Sequence, residues 1–181
     1  MRRARLIAAA AMLTCLPVVA VAEKVSEKEL IARTALDPVA RSQRLEEIAA
    51  MSPQQQADAM IAAVTDRTII YYQRGHGVYV EYTSADGRLF MWYPRNGGVV
   101  RGTWGLRDID GPVLCYQYRN AVHGVTGEYE PNECIPPDQK LLGEAMLDSR
   151  SGDPFGLAKG VIPYPKGPRD IPAWPDADKD G

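Results

Sequence analysis

The chain has 181 residues, 24% of them charged and 45% hydrophobic, with a formal charge of −2. That length suits one domain with a sizeable core. The mild acidity, with no basic run, argues against nucleic acid or an anionic membrane surface as partner.

Residues 1–22 read as a secretory signal. Arg2, Arg3 and Arg5 form a basic start, Leu6 to Leu16 an apolar stretch, and Ala20-Val-Ala22 a small-residue cleavage site before Glu23. The apolar stretch is too short for a membrane span, and no later segment approaches the length needed. Met12-Leu-Thr-Cys15 resembles a lipoprotein box, but Thr14 suits it poorly, and Arg2-Arg3 lacks the downstream context of twin-arginine export. Cleavage at Ala22/Glu23 leaves 18 basic and 23 acidic residues, a formal charge of −5, and predicts a periplasmic or secreted protein. It also removes Cys15, leaving Cys115 and Cys134, an even pair that reads as a disulfide in an exported chain.

Residues 26–64 read as two or three amphipathic helices. Ser26-x-x-Glu29 is a capping box, Asp37-Pro38 pairs an N-cap with proline at N1, and Ser52-Pro53-Gln-Gln55 repeats the device. The first helix reads as a mobile arm and the later two as a cover for one sheet face. Met51 and Met60 read as core filler rather than copper ligands.

Residues 66–118 read as an antiparallel β-meander, either an open curved sheet or a small barrel. Ten of the fourteen aromatics lie between Tyr71 and Tyr118. The expected strands are 68–72, 78–83, 88–93, 99–106 and 112–118. Turns are expected at Ser84–Gly87, at Asn96-Gly97 (a type I′ hairpin) and at Asp110-Gly111. Gly102 beside Trp104 reads as a bulge or kink. The fold class is therefore α+β, a single domain over 23–148 with helices packed on the meander.

Residues 119–137 read as a loop held by the disulfide, and 138–147 as a short helix capped by Asp138, with Leu141, Leu142, Ala145 and Met146 at helical spacing. The Pro/Gly-rich segment 149–181 reads as an extended strap on the domain or as a partner-binding tail, with Tyr164, Ile171 and Trp174 as its candidate contacts.

Tyr82-Thr-Ser-Ala-Asp-Gly87, Gly102-Thr-Trp104, Leu114-Cys115 and the second cysteine together resemble a group of small secreted proteobacterial proteins, a family defined as a domain of unknown function. The resemblance covers residues 66–134. It implies periplasmic location and a β-meander, and it implies no activity.

Chemistry-bearing motifs are sparse. Asp176-Ala-Asp-Lys-Asp-Gly181 matches the first half of a calcium loop but lacks the closing glutamate. His76 and His123 have no companion ligands at zinc spacing. His123 with Glu128, Glu130 or Glu133 would make an acid/base pair. This reading assigns no catalytic residue, no metal and no cofactor. The leading expectation is a non-catalytic envelope interaction protein, an accessory subunit. The first alternative is a small-ligand binder with Tyr79, Trp92 and Trp104 in an aromatic groove. The second is a hydrolase or isomerase centred on His123. A cavity would favour the ligand binder, a His123–glutamate cleft the enzyme, and a filled core with an exposed apolar strip the interaction protein.

Overall fold

A computed structural model of the protein describes residues 22–94, 96–119, 121, 132–163 and 167–175. The expected signal up to Val21, His123, Tyr164 and the acidic end lie outside them. The elements in chain order are β1 (Glu23–Lys24), α1 (Glu27–Thr34), α2 (Pro38–Ala50), α3 (Pro53–Val64), β2 (Arg67–Gln73), β3 (Gly77–Thr83), β4 (Arg88–Trp92), β5 (Val100–Asp108), β6 (Pro112–Arg119), β7 (Asn132–Ile135), α4 (Pro137–Leu142), β8 (Met146–Ser151), a 3-10 turn at Leu157–Lys159, and β9 (Asp170–Ile171). The class is α+β. Seven strands form one antiparallel sheet in the order β7-β6-β5-β4-β3-β2-β8, curled into a half-barrel, and β1 pairs separately with β9.

The helices begin where short polar side chains can accept from orphan backbone N–H groups. Ser26 accepts from Glu29 N, Asp37 from Val39 and Ala40, and Ser52 and Gln55 form a reciprocal capping box. In α1 the box is one-sided, because the Glu29 carboxylate is bonded to Arg33 instead. Leu30 of α1 is fully buried, in a cluster with Ile70, Val80 and Trp92.

Alternation along the strands divides the sheet into two apolar faces. Ile70, Tyr72, Val78, Val80, Phe90 and Trp92 belong to one, which also receives Leu30, Phe155 and Leu157. Leu89, Leu114 and Tyr116 belong to the other, where Met60 and Val64 of α3 pack.

Five expectations are corrected. The segment 138–147 is not one helix: α4 ends at Leu142 because Gly143 takes the left-handed conformation (φ 71°), and Ala145 does the same (φ 69°). Asp138 is inside that helix rather than its cap, which is Pro136. Met146–Ser151 then pairs antiparallel with β2 as an edge strand. The segment 119–137 is not all loop either, since β7 forms the other edge and places Cys134 directly opposite Cys115. The two sulfurs are bonded at 2.02 Å, so the disulfide staples neighbouring strands. The β4–β5 connection runs from Tyr93 to Val99, longer than the two-residue hairpin expected at Asn96-Gly97. Gly102 is not a bulge: it keeps regular register with Leu89 and Tyr118, and a Cβ there would run into the Gln117 backbone carbonyl. It is a point of close strand approach.

At Asp110-Gly111 the expected turn forms, both residues having positive φ (55° and 126°).

The C-terminal segment crosses the sheet. Pro168 O accepts from Val78 N at 2.9 Å, and a side chain at Gly77 would come within 2.7 Å of that oxygen. Ile171 pairs with Glu23. Trp174 stacks on Phe155 with centroids 5.0 Å apart, and its Nε1 donates to Asp148 Oδ2 at 2.6 Å.

Candidate functional site

A cavity of about 610 Å³ lies between the sheet and helices α3 and α4. Its volume is in the range of small-molecule sites. Ala59, Ala62 and Ala63 of α3 form one side, their small side chains leaving room against the strands. Ile69, Ile135 and Leu141 supply apolar wall.

The remaining wall is polar and unusually rich in tyrosine. Tyr71 and Tyr79 are opposite each other on β2 and β3 and stack with centroids 5.0 Å apart. Tyr116 and Tyr118 are two apart on β6 and stack at 6.1 Å. Alternation puts Glu81 on the same face as Tyr79, and Glu81 is only 4% exposed. Tyr118 Oη donates to Glu81 Oε2 over 3.2 Å. Lys140 enters from α4, donating from Nζ to Tyr71 Oη at 2.9 Å and standing 5.4 Å from the ring centroids of both Tyr71 and Tyr116.

The electrostatics follow from burial. Taking the Glu81 carboxyl out of water penalises its charged form and pushes its pKa up to about 7, against the opposing pull of Lys140 and the Tyr118 hydrogen bond. Burial lowers the pKa of Lys140, while Glu81 and Glu133 act to raise it. Tyr71, Tyr79, Tyr116 and Tyr118 are all pushed up, first by burial and then by nearby carboxylates. The Tyr116 hydroxyl is buried with no hydrogen-bond partner among the described residues. Paired acid and base groups with perturbed pKa values in a cleft mark a candidate functional site.

The three aromatics expected to line a groove do not converge. Tyr79 is in the cavity wall. Trp92 faces away from it: it is opposite Val80 in register and so shares Val80's face, buried in the core on the far side of the sheet. Trp104 is on the cavity side but packs with Leu89, Leu114 and Tyr116 beside α3. Its Nε1 is held by Ser84 O at 2.9 Å, and it borders a separate, smaller cleft of about 320 Å³. Ile171 and Trp174 make the intrachain contacts described above.

Sequence reading missed Glu81, Lys140, Tyr71, Tyr116 and Tyr118. The available signal was Glu81 itself, an acid on the same alternating face as Tyr79 in a strand whose other face is wholly apolar.

Among the described residues, no group of three or more His, Cys, Asp or Glu side chains could hold a metal ion, and no helix is long and apolar enough to cross a membrane. Searches against family profiles, curated proteins and solved structures return no match to this chain.

Proposed function

We propose that this protein binds a small organic molecule in the cavity between the sheet and helices α3 and α4. The observation that carries the reading is the Glu81–Tyr118 and Lys140–Tyr71 pairing set into the wall of a 610 Å³ cavity. A filled hydrophobic core has no use for a buried carboxyl and a half-buried lysine, each of which costs free energy to desolvate. A few convergent polar groups in an otherwise apolar hollow are what fixes the orientation of a ligand.

The test is chemical-shift mapping against a library of small organic fragments. Hits should perturb the amides of Glu81, Tyr116 and Lys140, and should vanish in Ala63→Phe, which fills the hollow from α3. Hits elsewhere only, or hits indifferent to that substitution, would overturn the reading.

The resemblance to secreted proteins supports an exported, periplasmic setting, as do the signal-like start and the Cys115–Cys134 bond, a linkage favoured in oxidising compartments. In that setting the C-terminal segment serves as an intramolecular strap. The contacts of Ile171 and Trp174 support this, and they weigh against the alternative in which the same residues capture an envelope partner. A second reading, an enzyme using Glu81 for proton transfer, is favoured by the Glu81 pKa alone, near the pH at which a general base works best.

A further inference from the structure

The unspent hydrogen-bonding capacity of the cavity says what its occupant carries; this inference rests on the reading of the cavity as a ligand site. We propose that the occupant is a small carboxylic acid with a flat apolar body, held as the carboxylate between Tyr116 Oη and Lys140 Nζ.

The argument is a donor census. Glu81, the buried acceptor, is engaged by Tyr118. Lys140 has three N–H donors, of which one goes to Tyr71 Oη. Tyr116 is 2% exposed, lines the cavity, and its hydroxyl has no partner among the described residues. At Lys140 and at Tyr116, whose ring centroid is 5.4 Å from Lys140 Nζ, what is left over is donors, and the ligand group that answers two such donors is an oxyanion.

Charge agrees with the census. Of the ionised groups around the hollow, Arg44 is bonded to Glu47 and Glu144 to Arg41, so each is neutralised from outside. Arg67 and Lys140 bring positive charge to the hollow, Glu133 is itself engaged, and burial holds Glu81 toward its neutral form. A ligand ammonium would meet Lys140 as a like charge, whereas a carboxylate meets it as a partner.

The shape of the body follows from the walls. The stacked pairs Tyr71–Tyr79 and Tyr116–Tyr118 line the hollow together with Ile135 and Leu141. A wall this rich in aromatic and apolar side chains favours an aromatic occupant.

The experiment uses three compounds with one ring system, 2-naphthoate, 2-naphthamide and 2-naphthylmethylamine, titrated calorimetrically into the purified protein at neutral pH. The naphthoate should bind about tenfold or more tighter than the amide, and the amine weakest, the margin expected of a charge-assisted pair over a neutral one. Tyr116→Phe should weaken naphthoate about tenfold without lowering the melting temperature, because the lost hydroxyl has no partner in the free protein. Lys140→Met should weaken it as well and move the amide less. If acid and amide bind alike, if the amine binds tightest, or if Tyr116→Phe leaves naphthoate unchanged, the carboxylate assignment falls and the cavity stays a ligand site. If none of the three binds, the carboxylate assignment falls, and the fragment screen with Ala63→Phe decides whether the cavity is a ligand site.

Discussion

Tyr118 reaches Glu81 with a 3.2 Å hydrogen bond although two strands, β4 and β5, separate the strands that carry them. In a flat sheet three strand spacings amount to about 14 Å. The bond is possible because the sheet curls, and Gly102, opposite Tyr118 in register, lets β5 and β6 approach closely. The glycine and the curl together bring β6 tyrosines over β3, and that is how a meander acquires a polar hollow.

Glu81 gives the stability a definite pH dependence. Its folded pKa is about 7, above the value for an exposed glutamate, so between those two pH values the folded chain holds a proton that the unfolded chain has released. Its contribution is fully present at low pH and is lost as pH rises toward and through 7. Glu81→Gln should remove this slope and raise stability at pH 8 relative to wild type, by about 3 kcal/mol at most. Urea denaturation of both proteins at pH 5 and pH 8 measures it. Parallel losses in the two proteins would count against a protonated Glu81.

Neighbouring substitutions should move the Glu81 titration in opposite directions. Lys140 and the Tyr118 hydroxyl both hold its pKa down, whereas Glu133 holds it up. Lys140→Met and Tyr118→Phe should therefore shift the midpoint above about 7, and Glu133→Gln below it. Carboxyl carbon NMR with labelled glutamate reads the midpoint directly. A shift of the same sign in all three would mean that the cluster does not couple as its geometry implies.

Trp174 tests the strap. It stacks on Phe155, donates to Asp148 and receives Arg150 over its ring at 4.9 Å. Because the side chain is only partly buried, Trp174→Ala should cost about 2 kcal/mol, below the range for a fully buried aromatic. The urea midpoint should fall with little change in slope. A melting curve indistinguishable from wild type would return this segment to the partner-binding reading.

Local chemistry made the helices and the hairpins readable. Ser26, Asp37-Pro38 and Ser52–Gln55 mark helix starts by the hydrogen bonds they make within three residues, and Gly87 and Gly111 mark turns by positive φ. The edge strands β7 and β8 were not readable. Asn132–Ile135 and Met146–Ser151 are short and mostly exposed, so they carry no apolar alternation, and their strand form comes from pairing with β6 and β2. Ala145 and Met146 fall at helical spacing after Leu142 by coincidence, and the left-handed Gly143 decides otherwise. The site was hidden for a related reason. Lys140 and its partner Tyr71 are 69 residues apart, and no local pattern announces a contact made by folding a sheet.

The pairing of β2 with β8 has a consequence for the order in which the protein can be made. As the chain leaves the ribosome, Ile69-Ile-Tyr-Tyr72 emerges early, gains β3 on one side within a few residues, and waits on its other side for Met146–Ser151. Until then a β-branched and aromatic strand stands with an open row of amides and carbonyls, the kind of edge that recruits other chains. The β1–β9 ribbon closes later still, since Glu23 is among the first described residues and Ile171 among the last. The native sheet is thus closed only once residues 146–151 are available, and a chain stalled before residue 146 would be the form most in need of a chaperone.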